Sequence, residues 1–226
     1  VISDWSISDW EKPMNFEEKV NRVSEYVRDY IFQAASKRED DTDPNYRWLH
    51  TLRVTNIGKH LAEEEGGDME TVIIACLLHD IAWFDDPINH REHGRNGARL
   101  VRPLLAELAY SEEEINAICY PIAAHVDDKA DFDHPHTLEA MIVSDADNID
   151  RFDAYRILLY CKPEIYDFKA LVEKLKDRLV TLKDYRARRI MGTDTGHRLW
   201  NQKLEQQISF YEAILTQNEI SSLPDF

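Results

Sequence analysis

The run Val72, Ile73, Ile74, Ala75, Cys76, Leu77, Leu78 is apolar without interruption and ends in the doublet His79-Asp80. A helix that is apolar on every side has no face to give to water, so such a segment sits in the middle of a helical assembly with other helices around it. The doublet is thereby carried inward. Burying an imidazole or a carboxylate among aliphatic side chains costs on the order of several kcal/mol unless each polar group finds a partner. His50 upstream and Asp145 far downstream lie on similarly apolar backgrounds. Four such groups at inward positions are better explained by one shared cation than by four separate accidents.

Helical signals fill the rest of the chain. Asn15 with Glu18 three residues on forms a capping box ahead of the stripe Val20, Val23, Val27, Ile31 and Ala34, which predicts a helix over 16–37. A second is expected over 46–65, stopped by Gly66-Gly67, with His50 on the same face as Val54, Ile57 and Leu61. The central apolar helix is expected over 69–84, and a fourth over 93–109, interrupted at Pro103. Ser111 with Glu114 caps a helix that carries Ile115, Ile118, Ile122 and His125 and bends at Pro121. Thr137 caps the next. There Leu138, Ile142, Asp145 and Ile149 share one face, so Asp145 points inward while Asp147, about 200° round the wheel, points elsewhere. Further helices are expected over 152–161, 164–191 and 197–217. No useful length of sequence has strand periodicity, so the expected fold class is all-α.

The chain has 226 residues and no Gly/Ser/Pro-rich linker, which makes one compact domain the default. Residues 1–14, with the duplication Ile2-Ser3-Asp4-Trp5 and Ile7-Ser8-Asp9-Trp10, read as an N-terminal extension. Acidic residues outnumber basic ones 43 to 27, a net charge of −16 that repels phosphate backbones and anionic membrane surfaces. Duplex nucleic acid and membranes are therefore not expected as partners. A small phosphorylated substrate is, because a bound divalent cation and a few local Lys or Arg reverse the field inside a pocket. Cys76, Cys119 and Cys161 are widely spaced in apolar settings and read as reduced core residues. With no span of membrane length and no signal-peptide layout, the expected location is cytoplasmic. A homodimer is compatible with this reading.

His50, His79, Asp80 and Asp145 offer two imidazoles and two carboxylates, a set suited to Mn²⁺, Mg²⁺, Fe²⁺, Co²⁺ or Zn²⁺, with Mn²⁺ or Mg²⁺ favoured. A metal so held lowers the pKa of coordinated water, which points to hydrolysis of a phosphate ester or anhydride. Asp80 is expected to orient the water, and His125, His93 and Arg53 to stabilise the substrate or its leaving group. Arg95 and Lys129 are candidate phosphate clamps. Glu139 reads as an acid favoured by its helix dipole, Asp147 as a supporting carboxylate or a cap, and Trp83 as a packing residue with stacking on a base as the alternative.

These residues resemble the HD-domain metal-dependent phosphohydrolase superfamily, whose signature is a His, a His-Asp doublet and a distant Asp. The match lies in Trp48-Leu49-His50-Thr51-Leu52-Arg53-Val54, in Ala75-Cys76-Leu77-Leu78-His79-Asp80-Ile81, and in Leu138 to Asp147 with its Asp145-Ala146-Asp147 block. Within the superfamily the chain is most similar to the small stand-alone bacterial hydrolases, some of which cleave nucleoside triphosphates or other phosphoesters, so the resemblance implies a nucleotide as the expected substrate. The ppGpp-hydrolase branch is disfavoured, because Trp83-Phe84 stand where that branch has Glu-Asp. The cyclic-di-GMP branch is disfavoured too, because its Gly-Lys and Gly-Tyr-Pro elements are missing.

The resemblance implies an HD-type helical bundle over 15–192 with its signature in 46–152, and a C-terminal helix and tail over 193–226 packed on it. Two rivals to the hydrolase reading stay open. One is a di-iron oxygenase in which Asp80 bridges two metals and His93 and His125 hold the second. The other is a non-catalytic sensor or interaction module with a structural metal.

Overall fold

The computed structural model describes residues 14–38, 43–85 and 88–222, and the Trp5 and Trp10 segment lies outside them. Within the described residues the chain is all-α. Its helices are α1 (Phe16–Ala35), α2 (Pro44–Glu65), α3 (Met69–Leu78), α4 (His93–Glu107), α5 (Glu112–Ala124), α6 (Leu138–Arg151), α7 (Ala154–Cys161), α8 (Phe168–Ala187) and α9 (Asp194–Glu219). Short 3-10 turns precede α4 at His90–Glu92 and follow α7 at Lys162–Glu164.

Local chemistry sets most of the helix ends. The capping boxes Asn15/Glu18 and Ser111/Glu114 are both formed, and the Thr137 side chain accepts from Ala140 N. Gly66 ends α2 in the left-handed region at φ 78°, which costs a residue without Cβ little. Pro103 and Pro121 lie inside α4 and α5, which run on as single elements, so the helix does not restart at Pro103.

α3 is the centre. It packs against α1, α2, α4, α5 and α6, and every residue from Val72 to Leu78 is buried, as its all-round apolarity requires. One continuous apolar core runs from Val23 on α1 to Tyr211 on α9, with α8 and α9 packed on each other and α9 also against α6 and α2.

α3 stops at Leu78, shorter than the expected Phe84. His79 Nδ1 bonds Cys76 O at 2.8 Å, and the chain beyond continues in tight turns, with Ile81 N on Leu78 O, Trp83 N on Asp80 O and Asp85 N on Ala82 O. A side chain that donates to a nearby carbonyl competes with the helical ladder. The doublet thus sits on the turn that closes the central helix, where two successive side chains are free to aim at one point.

Candidate functional site

Four buried histidines converge on two buried aspartates, and each histidine is fixed by its far nitrogen. His79 follows α3 and donates from Nδ1 to Cys76 O at 2.8 Å. His125 follows α5 and donates likewise to Ile122 O at 2.8 Å. His93, at the first turn of α4, donates to His90 O. His50, in the middle of α2, bonds Asp150 Oδ2 through Nδ1 at 2.7 Å. A carbonyl or carboxylate oxygen only accepts, so Nδ1 carries a proton in all four rings and Nε2 is the nitrogen that each ring turns to the cluster.

Those nitrogens meet. His50 Nε2 lies 3.3 Å from His79 Nε2, and His93 Nε2 lies 3.0 Å from His125 Nε2. Asp80 divides its oxygens between the two pairs. Its Oδ2 is 3.2 Å from His50 Nε2 and 3.3 Å from His79 Nε2, while its Oδ1 is 2.9 Å from His93 Nε2 and 3.7 Å from His125 Nε2. Asp147 Oδ1 closes the first group at 3.2 Å from His50 and 4.0 Å from His79. Among the described residues His50, His79 and Asp147 form one group of potential ligands, and His79, Asp80 and His125 another, with all ligand atoms of each within 4.8 Å of one another.

Acceptors facing acceptors at these distances repel unless a positive charge lies between them. The donor set therefore fits a divalent cation, with ring orientations already fixed by the Nδ1 contacts. A proton serves the same end at one position. Burial pulls His50 towards neutrality, but the carboxylates of Asp147, Asp150 and Asp80 outweigh it and push its pKa up to about 11. Burial also works against the charge on Asp80, yet Arg47, His79, His125 and His50 hold its carboxyl well below the usual range. Asp147 is lowered as well, its burial outweighed by His50 and His79.

Gly94 brings the second histidine pair together. A Cβ there would stand 2.8 Å from Ile122 O and 3.0 Å from Ala123 O, so only a glycine lets the start of α4 close on the end of α5.

The expected fourth ligand needs correction. Asp145 turns away from the cluster: its Oδ1 accepts from Gly192 N at 2.9 Å, and its Oδ2 from Thr193 N at 2.9 Å and Thr193 Oγ1 at 2.7 Å. Thr193 is the N-cap of α9, so Asp145 anchors the start of that helix. Asp147 joins His50 and His79 in its place. The wheel argument failed because α6 is buried on two faces, one towards α2 and α3 and one towards α9. The stripe through Leu138, Ile142 and Ile149 identified only one of them.

Other expected residues also fall outside the cluster. Arg53 is fixed on Asp150, with Nε at 2.5 Å from Oδ1 and Nη2 at 3.0 Å from Oδ2, so it supports the carboxylate that holds His50. Arg95 is spent on Glu92 at 2.7 Å and Asp127 at 2.8 Å, and Lys129 is exposed and gives its carbonyl to Arg95. Neither lines the cavity over the cluster. Glu139 Oε1 accepts from Asp68 N at 3.0 Å, tying α6 to the start of α3.

That cavity holds about 350 Å³. His50, Asp80, His93, His125 and Asp147 form much of its polar wall, and four arginines, Arg47, Arg91, Arg151 and Arg156, line it as well, beside Tyr46, Trp83, His90 and Val126. Arg47 contacts Asp80 Oδ2 and stacks over Trp83 at 3.8 Å. Arg151 approaches Asp147 Oδ2 at 3.5 Å. The sequence reading missed all four arginines. Arg47, one turn before His50, and Arg151, one turn after Asp147, had helical spacing as a signal, whereas Arg91 and Arg156 had none.

Residues 47–151, which span the whole cluster, match the HD domain family. They form an HD domain. Solved structures of similar shape cover nearly all of the chain. An HD-superfamily hydrolase from Bacillus thuringiensis is 22% identical, covers 92% of this chain and 100% of its own, and superposes with a TM-score of 0.66. A predicted HD-superfamily hydrolase from an uncultured Thermotogales bacterium is 20% identical, with 90% and 99% coverage and a TM-score of 0.61. YpgQ of Bacillus subtilis in complex with ADP is 18% identical, with 92% and 98% coverage and a TM-score of 0.61. At these identities the likeness shows a shared fold, in which helices outside the HD domain proper take part.

Proposed function

We propose that the chain is a metal-dependent phosphohydrolase acting on a phosphate ester or anhydride of a nucleotide, with His50, His79, Asp80 and Asp147 holding the divalent cation. The supporting observation is one cavity that joins a His/Asp cluster to four arginines, on a chain whose net charge is −16. A phosphate needs such a local reversal of sign; a neutral organic substrate does not. Arg91 and Arg156 have no ion-pair partner among the described residues, which leaves their charge for an anion. YpgQ, of the same fold, was crystallised with ADP, which favours a nucleotide.

The chemistry that a divalent cation supplies in such a site is a lowered pKa for coordinated water and neutralisation of charge on a phosphoryl oxygen, and Mn²⁺ or Mg²⁺ suits the donors. The rest falls to the protein. Asp150, held by Arg53, keeps the proton of His50 on Nδ1 and so keeps Nε2 facing the cluster. Trp83 and Asp80 position Arg47 at the cavity wall, where its guanidinium meets phosphate oxygens. Asp80 Oδ1, His93 and His125 border the same space and are the groups within reach to orient water and handle the proton of the leaving group.

A second cation is favoured by one observation: Asp80 turns its Oδ1 to His93 and His125 and its Oδ2 to His50 and His79, the arrangement a bridging carboxylate adopts.

The test is release of phosphate or pyrophosphate from nucleoside phosphates and sugar phosphates with Mn²⁺, Mg²⁺ or Co²⁺. Turnover on a nucleotide that vanishes in Asp80→Ala is expected. Turnover that survives unchanged in Asp80→Ala contradicts the proposal.

A further inference from the structure

A second cavity, of about 470 Å³, opens beside the first and shares Tyr46 and Arg156 with it. Tyr46, Leu49 and Arg53 of α2 face Asp153, Tyr155 and Arg156 at the start of α7 across this groove. The Tyr46 and Tyr155 rings lie 5.6 Å apart at 34°, and Tyr155 and Leu49 remain 53% and 51% exposed. Large apolar side chains left open beside a charged pocket are the usual mark of a surface that a ligand covers.

Charge decides what kind of ligand part fits. Arg53 is neutralised on Asp150, and Asp153 on Lys203 at 2.8 Å. Beyond Arg156, which borders both cavities, no uncompensated cation lines the groove, and Asp43 at its far side carries no ion pair among the described residues. A second phosphate is not favoured there. A flat ring is, because it covers tyrosine and leucine surface, and an amino or N–H donor on the ring suits the Asp43 carboxylate, whose Oδ1 also accepts from Asn45.

We infer that this groove is the ring subsite of the proposed phosphohydrolase: the phosphates lie over the His/Asp cluster among the four arginines, the linker passes Arg156, and an N–H-bearing heterocycle rests on Tyr155, Tyr46 and Leu49. This rests on the phosphohydrolase reading. It assigns to Tyr155 and Leu49, which touch neither the cluster nor the first cavity, the choice between a nucleoside phosphate and a phosphate without a ring.

The experiment compares two non-cleavable ligands with the same phosphorus groups, methylenediphosphonate and the α,β-methylene analogue of ADP, titrated calorimetrically into the Mg²⁺-saturated full chain. The ADP analogue is expected to bind wild type about tenfold tighter, the usual size of one base–aromatic stack. Tyr155→Ala is expected to erase most of that difference and leave methylenediphosphonate affinity as it was, while Tyr155→Phe keeps the difference. Circular dichroism of both variants checks the fold, and Leu49→Ser, at an exposed position, offers an independent second probe expected to narrow the gap. Equal affinity of the two ligands for wild type, or a difference untouched by both Tyr155→Ala and Leu49→Ser, overturns the ring subsite and leaves the phosphate reading standing. If neither ligand binds, the phosphate reading falls and the subsite with it.

Discussion

Asp145 and Asp147 sit two residues apart on α6 and serve opposite sides of it. Asp145 accepts three hydrogen bonds from Gly192 and Thr193 and holds the start of α9, whereas Asp147 Oδ1 lies 3.2 Å from His50 Nε2 in the His/Asp cluster. The Asp-Ala-Asp block therefore combines a carboxylate that holds α9 with one that faces the cluster.

Removing the carboxylate that holds α9 should cost stability. Asp145→Ala leaves the buried donors of Gly192 and Thr193 without acceptors, a loss of roughly 1–3 kcal/mol or more. Thermal unfolding should show a clearly lowered midpoint, with the bound-metal stoichiometry of the folded protein unchanged. A variant as stable as wild type but depleted of metal would reverse the roles assigned to the two aspartates.

Asp150 and Arg53 should matter to a metal they do not touch. Their interaction fixes the Nδ1 proton and the ring of His50, and partners that orient a ligating histidine are typically worth about 10–100-fold in metal affinity. Asp150→Ala and Arg53→Ala should both weaken metal binding, the former more, as read by competition with a chromophoric chelator. Wild-type affinity in both would show that His50 needs no such support.

Metal binding should strengthen as the solution becomes more alkaline. His50 is protonated near neutrality in the metal-free protein because its pKa is raised to about 11, so a cation must displace that proton. Apparent affinity should rise by about tenfold per pH unit below that value, and calorimetry in buffers of different ionisation enthalpy should register proton release. The sign for folding is opposite. A pKa raised above the unfolded value of about 6.5 gives stability that is fully present below that pH and is lost as pH climbs towards 11. The chelator-treated protein should therefore lose stability across that window. Flat affinity with no proton release would mean that His50 enters the metal-free site neutral.

Arg91 and Arg156 should act on the anion alone. Each has no carboxylate partner among the described residues, and a hydrogen bond to a charged group is worth about 1.5–3 kcal/mol. Arg91→Ala should weaken pyrophosphate binding by roughly tenfold or more and leave metal content intact. A binding constant within twofold of wild type would remove Arg91 from the phosphate site.

How much of this the sequence reveals depends on whether the determining interaction is local. Capping boxes at Asn15 and Ser111, the Gly66 stop and the all-round apolarity of Val72–Leu78 act within a turn or two, and the helices they mark are present. His50, His79, Asp80 and His125 were visible as polar groups on apolar faces or in the doublet, and His93 through the family's order of histidines. Asp147 was not, because a helix buried on two sides has no single inward direction and the α9 contact that claims Asp145 is far away in sequence. The end of α3 at Leu78 was hidden by a side-chain bond from His79 to Cys76 O that competes with the helix. Arg91 and Arg156 reach the cavity only through the placement of the turn before α4 and the start of α7, which no periodicity records.

The most direct test of the account is a metal titration of chelator-stripped protein by calorimetry, run in parallel on wild type, Asp147→Ala and Asp145→Ala. Saturable binding of Mn²⁺ by wild type and by folded Asp145→Ala, with at least a hundredfold loss in Asp147→Ala, is the predicted result. Binding that is undetectable in wild type, or that survives Asp147→Ala and fails in Asp145→Ala, would contradict it.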